Sequence, residues 1–250
     1  MGRNAGTNRG PTGHRLVTNA PVASASVNAA SALLDLVFPQ RCLACGRAGP
    51  QLCPGCRDAL PRLRPPLCAR CGAPTAWPVE RCRECAGRRL AFRTARAALA
   101  YDEAVKRLVT AWKERGLRLL APLAAELVAE TVPRPDVAAL AFVPADRSRY
   151  LSRGHHPAER LARELGERWQ LPAVPLVART RAVPPQRGLP LAERRRNVTD
   201  AFAPDGRAPA TVALVDDVYT SGATAGAAAS ALRRAGARRV EVVTLARAVR

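Results

Sequence analysis

Long apolar runs are missing from this chain. Arg, Asp, Pro or Gly interrupts every hydrophobic stretch well before the roughly 20 residues that a helix needs to cross a bilayer, which excludes membrane insertion. Lysine is nearly missing too: Lys106 and Lys113 are the only lysines among 40 cationic residues, so a net charge of +20 is carried almost wholly by guanidinium. Arg makes two-pronged hydrogen bonds to phosphate and sets up a field that draws polyanions, so nucleic acid and phosphorylated ligands become candidate partners. The 50 Ala beside 38 Arg also match a GC-rich coding bias, in which Arg replaces Lys without functional demand, and charge by itself names no partner. No Gly-x-x-x-x-Gly-Lys and no Gly-x-Gly-x-x-Gly occurs, which removes kinase, GTPase and dinucleotide-dependent dehydrogenase readings together. A convincing Ser-His-Asp or Cys-His arrangement is absent as well, so nothing points to a side-chain nucleophile.

What is present suits a soluble α/β domain of ordinary size plus a small module: 250 residues, 48% hydrophobic, 24% charged, mean hydropathy −0.13. All eight cysteines fall into Cys-x-x-Cys pairs, Cys42 with Cys45, Cys53 with Cys56, Cys68 with Cys71 and Cys82 with Cys85, and none is left over. Two such pairs on tight turns place four thiolates around one tetrahedral Zn²⁺ at about 2.3 Å each, and the metal makes up for the poor core of so short a segment. The spacing suits two successive zinc ribbons, with the first four cysteines on one ion and the last four on another; an interleaved pairing is the alternative. Gly46 and Gly72 directly follow the second Cys of a pair, where a knuckle turn suits a residue free to take positive φ. Iron–sulfur ligation, disulfides and a thioredoxin-like redox pair are the competing readings, the last lacking its strand-helix context. Four thiolates close the coordination sphere, so the zinc is expected to be structural.

Met1 to about Ala30 has no continuous apolar segment of the kind a secretory signal carries, so residues 1–30 read as a disordered extension. That reading, with cysteines arranged for metal, argues for a reducing cytoplasm. Residues 31–90 form the expected cysteine module, entered through the apolar stretch Ser31 to Phe38 and divided by a Pro-rich hinge at Leu63 to Leu67. Residues 91–250 form the expected second domain. Val105, Leu108, Val109 and Trp112 recur at helical spacing within a helix expected over Tyr101 to Arg115, and further helices are expected over Leu123 to Val132, Ala158 to Trp169 and Thr224 to Ala235. Strands are expected at Ala138 to Val143, Val174 to Ala178, Val212 to Val215 and Val240 to Leu245. This alternation predicts a parallel, doubly wound sheet with helices on both faces and ligands at the carboxyl ends of the strands.

One segment carries the chemistry. Val212 to Val215 form a buried strand, Asp216 and Asp217 sit where it emerges, and Thr220, Ser221, Gly222, Ala223 and Thr224 lead into a helix. A loop of small and hydroxyl residues at a helix start offers free N–H groups and the positive end of the helix dipole to a phosphate. Carboxylates a few residues earlier can accept hydrogen bonds from vicinal sugar hydroxyls, and together the two parts specify a ribose carrying a phosphate. Capping alone does not explain the carboxylates, because an N-cap immediately precedes its helix and these stand several residues upstream.

This segment resembles the phosphoribosyl pyrophosphate (PRPP) motif of type I phosphoribosyltransferases. The order of the two ribbons, Trp112-Lys113-Glu114-Arg115-Gly116, Val143-Pro144, Arg153-Gly154, Pro184-Pro185-Gln186 and Ala192-Glu193 through Asn197-Val198 resembles the ComF family of competence proteins. The resemblance runs from about Ala32 to Arg247. It implies an α/β fold: an N-terminal double zinc ribbon with two four-cysteine sites, then a parallel-sheet domain like the type I phosphoribosyltransferases. It implies that Asp216 and Asp217 bind the ribose 2′ and 3′ hydroxyls and that Thr220 to Thr224 hold the 5′-phosphate. It places the pyrophosphate loop after Val143-Pro144, with Arg147, Arg149 or Arg153 as its cation, and an acceptor hood over Tyr101 to Val132. Where the family has Arg-Gly-Phe-Asn-Gln, this chain has Arg153-Gly154-His155-His156-Pro157, and the two His read as ordinary loop residues. Arg179 to Asn197, with six Arg, corresponds to the flexible segment that closes over PRPP in these transferases, although a loop that grips DNA phosphates has the same composition.

In an active transferase a nitrogen of the acceptor displaces pyrophosphate from C1 of PRPP, with Mg²⁺ bridging pyrophosphate and ribose hydroxyls. The resemblance sets this in DNA uptake, with single-stranded DNA or proteins of the competence machinery as further partners. The rival expectation is a non-catalytic adaptor of the same fold that contacts DNA through its ribbons and its Arg-rich loop.

Overall fold

A computed structural model of the chain describes residues 40–114, 116–117, 120–145, 154–180 and 201–249. Their elements run α1 (Pro54–Asp58), β1 (Thr94–Ala100), α2 (Glu103–Glu114), α3 (Leu120–Thr131), β2 (Ala139–Phe142), α4 (Pro157–Trp169), β3 (Val177–Arg179), β4 (Phe202–Pro204), β5 (Thr211–Tyr219), α5 (Ala223–Arg234) and β6 (Arg239–Arg247). The expected extension over residues 1–30, the stretch Ser31 to Phe38 and all but the start of the Arg-rich segment lie outside the described residues.

Strands β1, β6, β5 and β2 pair in that order, every pair parallel, as the alternation of apolar runs with helical patterns predicts. Successive residues of a strand point to opposite faces, and the burial follows this. Ala213 and Val215 of β5, Val243 and Leu245 of β6 and Leu140 and Phe142 of β2 pack in one cluster with α2, α3 and α4. Their neighbours Val212, Leu214, Val240, Val242 and Ala141 pack in a second cluster with α5, Phe92, Leu176 and Phe202. The sheet is therefore sandwiched, and its strands are near-continuously apolar because both faces are covered.

Helix α4 illustrates how the sequence sets its own limits. His156 is the N-cap and accepts the Glu159 N–H at Nδ1, 3.0 Å away, while Pro157 takes the first helical position, where no N–H is needed. Leu161, Leu165 and Trp169 recur every fourth residue and are buried. Truncating either Leu to Ala costs about 2–5 kcal/mol on general grounds. Gln170 ends the helix in the left-handed region at φ 53°.

Two strands depart from expectation. β1, with the sequence Thr-Ala-Arg-Ala-Ala-Leu-Ala, carries little intrinsic strand signal; its extended form comes from pairing with β6, Thr94 opposite Glu241 through Ala100 opposite Arg247. The stretch expected as a sheet strand at Val174 to Ala178 does not join the sheet: one parallel bridge, Leu140 with Ala173, precedes it, and from Val177 the chain pairs as β3 antiparallel with β4 in a separate ribbon. Pro172 and Pro175 explain this, since neither can donate to a ladder.

The outer edge of β1 is covered by the cysteine module. Leu63 N–H donates to Ala98 O at 2.8 Å, Ala100 N–H to Pro61 O at 2.8 Å and Ala95 N–H to Arg70 O at 2.9 Å. An edge strand with unpaired N–H groups invites pairing with another chain, and the ribbon residues occupy those groups. Gly72, at φ 69°, sits so close to the Ala95 carbonyl that a Cβ there would collide with it.

Candidate functional site

The eight thiols gather into two sets, Cys42, Cys45, Cys53 and Cys56, and Cys68, Cys71, Cys82 and Cys85, with all four Sγ atoms of each set within 4.8 Å of one another. The pairing is successive, not interleaved. A tetrahedral Zn²⁺ with bonds of about 2.3 Å requires sulfurs about 3.8 Å apart. The separations match, 3.9 Å for Cys45 and Cys53, 3.6 Å for Cys68 and Cys85 and 3.4 Å for Cys71 and Cys82. The Cys53 N–H points at Cys42 Sγ at 3.4 Å and the Cys82 N–H at Cys68 Sγ at 3.2 Å, and Gly46 and Gly72 take the positive φ of the knuckle. Burial alone would raise the thiols of Cys42 and Cys68, yet the backbone N–H groups of Cys53, Cys45 and Ala44 around the first and of Cys71, Cys82 and Arg70 around the second hold each down at about 6. Neighbouring thiols push Cys56 up to about 12, and burial pushes Cys71 up to about 12. Each set thus begins with one ready thiolate and crowds the rest, a cluster that a divalent cation relieves. The chain carries two four-cysteine sites for structural zinc.

A second site lies at the carboxyl end of β5. Residue alternation sends Asp217 toward α2, where Lys113 Nζ donates to its Oδ1 at 2.7 Å, and leaves Asp216 on the other parity, its Oδ1 accepting the Asp217 N–H at 2.9 Å. Burial and then the charge of Asp217 push the Asp216 carboxyl up to about 8. After Tyr219 the chain turns through Thr220 and Ser221 to Gly222, which is the N-cap of α5 at φ 72° and lends it no side-chain cap. A cavity of about 390 Å³ opens here, lined by Asp216, Asp217, Thr220, Thr224, Lys113 and Arg179, and by Pro144 and His156. Carboxylates, hydroxyls and cations converge on a space large enough for a sugar phosphate.

Asp216, Asp217, Thr220 and Thr224 are thereby brought to one cavity. Ser221 forms the turn between them, while Gly222 and Ala223 border a neighbouring groove, also of about 390 Å³, together with Arg88 and Arg89. Arg147, Arg149 and Arg153 lie outside the described residues. His155 and His156, expected as ordinary loop residues, are more engaged than that. His155 is buried with Nε2 2.8 Å from the Trp112 carbonyl, and His156 caps α4, stacks edge-on to Phe142 at 5.5 Å and lines the cavity. Burial holds the His156 imidazole below its ordinary range.

Sequence reasoning did not foresee the roles of Lys113, Tyr219 or Arg88. Lys113 could have been found, being one of only two lysines in the chain and part of the quoted Trp112 to Gly116 motif. Tyr219 lies under Gly222, where a Cβ would strike its ring and hydroxyl, and stacks edge-on against Phe92 at 6.2 Å. Arg88 donates to the Ser221 carbonyl at 2.6 Å. No spacing in an Arg-rich chain singles out that guanidinium.

The family described as the double zinc ribbon domain matches residues 33–86. Competence protein F from Haemophilus influenzae is 29% identical, over 79% of this chain and 90% of that protein. Among solved structures, the crystal structure of TT1426 from Thermus thermophilus is similar at 21% identity, covering 54% of this chain and 83% of that one, with a TM-score of 0.29. Among the described residues, no helix is long and apolar enough to cross a membrane. With its two four-cysteine sites, its parallel α/β sheet and a likeness that spans most of its length, the chain is a homologue of competence protein F that carries a double zinc ribbon.

Proposed function

We propose that this protein binds PRPP with Mg²⁺ at the end of β5 and transfers its phosphoribosyl group to a nitrogen acceptor, in the cytoplasmic handling of incoming DNA. One observation carries the reading: adjacent carboxylates at the end of a central parallel strand, followed within five residues by a glycine-capped helix start, with Asp216, Asp217, Thr220 and Thr224 on one cavity. Ribose hydroxyls donate to Asp216 and Asp217, and the 5′-phosphate accepts from the loop Thr220 to Thr224. Lys113 holds Asp217 in place through their 2.7 Å bond. The acceptor nitrogen forms the new bond to C1 as the C1–O bond to pyrophosphate breaks, and the electron pair leaves with pyrophosphate. Asp216 and Asp217 offer the oxygen donors Mg²⁺ takes, and the bound ion supplies charge neutralisation for the leaving group. The chain's own work is to position groups and stabilise charge, which fits the lack of a nucleophilic side chain.

Titration calorimetry of PRPP into the zinc-loaded protein, with and without Mg²⁺, tests this. Mg²⁺-dependent binding that Asp216→Asn/Asp217→Asn abolishes is the expected result. Absence of binding by the folded parent protein favours a second reading, a DNA-handling adaptor. That reading has its own observation in Trp77, which is 68% exposed on a ribbon that also carries Arg70, Arg81 and Arg83. An exposed indole offers a face on which unpaired bases can stack. It predicts salt-sensitive binding of single-stranded DNA that is indifferent to PRPP and weakened by Trp77→Ala.

A further inference from the structure

The two zinc ribbons meet the rest of the molecule in different places. The first rests on the helical face: Leu43 and Leu52 pack against the cluster of α2, α3 and α4, and Arg57 of α1 bridges to Glu126 at 3.0 Å and to Glu130 at 2.5 Å on α3. The second reaches the loop at Thr220 to Thr224 by two routes. Arg88, three residues past the zinc ligand Cys85, donates through Nη2 to the Ser221 carbonyl at 2.6 Å and is steadied by the Glu84 carbonyl at 3.5 Å. Arg247, buried at the end of β6, donates to the carbonyl of the ligand Cys71 and to Glu84 Oε2 at 2.6 Å. Its guanidinium lies 5.0 Å from the centre of the Tyr219 ring, and that ring forms the floor beneath Gly222.

The loop is small and has little else to fix it. Gly222 contributes no side chain, α5 has no side-chain cap, and Ser221 Oγ reaches the Ala223 N–H only at 3.4 Å. A charge-assisted bond to a loop carbonyl orients that peptide and therefore its neighbours. The ribbon that supplies it has a core of only Cys68, Cys71, Ala73 and Cys85 beside three partly buried apolar residues, so its shape depends on its metal.

We infer that the second zinc ribbon is a positioning element of the phosphate loop, acting through Arg88 on the Ser221 carbonyl, while the first ribbon is not. The inference rests on the reading that this loop holds a phosphate. It makes Arg88 a positioning residue with no contact to the ligand, and it ties the affinity for a ribose 5-phosphate to the integrity of the Cys68, Cys71, Cys82 and Cys85 site alone.

The experiment compares Arg88→Ala and Arg57→Ala in the zinc-loaded full chain, with zinc content measured for each so that metal loss is not mistaken for the effect. Two quantities are read: hydrogen exchange of the peptide spanning Tyr219 to Ala225, and affinity for Mg²⁺-PRPP. In Arg88→Ala the loop exchanges faster and affinity falls about tenfold, the scale of one charge-assisted hydrogen bond. In Arg57→Ala both stay as in the parent. Unchanged loop exchange in Arg88→Ala overturns the inference, and so does equal acceleration in both variants. Faster exchange with unaltered affinity overturns it too, because positioning then has no consequence for binding. If the parent protein does not bind PRPP but Arg88→Ala alone frees the loop, the mechanical coupling stands and the reading of the loop as a phosphate site falls.

Discussion

At the scale of single residues, Asp216 is where the site's chemistry and the fold's stability conflict. Its carboxyl is raised from an ordinary 3.8 to about 8 by burial and by Asp217. An acid whose folded pKa is the higher one binds more protons folded than unfolded, so its contribution is complete below about pH 4 and is lost as pH rises through about 8. Asp216→Asn removes that titration. Between about pH 6 and pH 8, with zinc bound throughout, the variant should gain on the parent by about 1–2 kcal/mol, after discounting for the solvent-facing side of the cavity. Urea melts at three pH values read this directly, and a gap that does not widen with pH would mean that Asp216 is ionised throughout. On the proposed reading, an arriving cation or hydroxyl donor would relieve that cost.

At the scale of elements, the start of α5 depends on one glycine. Gly222→Ala places a Cβ in the left-handed region and against the Tyr219 ring, which is itself held between Phe92 and Arg247. Destabilisation of about 2–4 kcal/mol is expected, with loss of PRPP affinity. Gly226→Ala, one turn on, meets open space and should stabilise the helix by about 0.5–1 kcal/mol. Thermal melts of the two variants should move in opposite directions. The helices were legible in the sequence because their apolar residues recur at the helical period, as Leu161, Leu165 and Trp169 do. The zinc knuckles and the carboxylate-loop segment were legible because their residues are contiguous. β1 was not, since Ala and Arg acquire a strand conformation only from β6, and around Pro172 and Pro175 the Val and Leu carry a strand signal that the missing N–H donors overrule. The contacts that hold the site, Lys113 to Asp217 and Arg88 to Ser221, join residues more than a hundred positions apart, and no local pattern announces them.

At the scale of the molecule, the cysteine module is part of the sheet's architecture as well as a pair of metal sites. Stripping zinc with a chelator should free Pro61, Leu63 and Arg70 from β1 and leave its N–H groups open. Concentration-dependent self-association, followed by light scattering, is the expected outcome; a chelated protein that stays monomeric would show that the β1 edge is protected by something else. The strand order has a further consequence, for the time course of folding. β5, α5 and β6 are neighbours in sequence and can form a unit by themselves, but β1 must wait for a partner translated long after it, Thr94 for Glu241. The residues that cover the opposite edge of β1, among them Pro61, Leu63 and Arg70, are translated before it and are available to shelter it during that interval. Zinc supply during synthesis is therefore expected to decide whether a half-built sheet is sheltered or sticky before its last strand has been made.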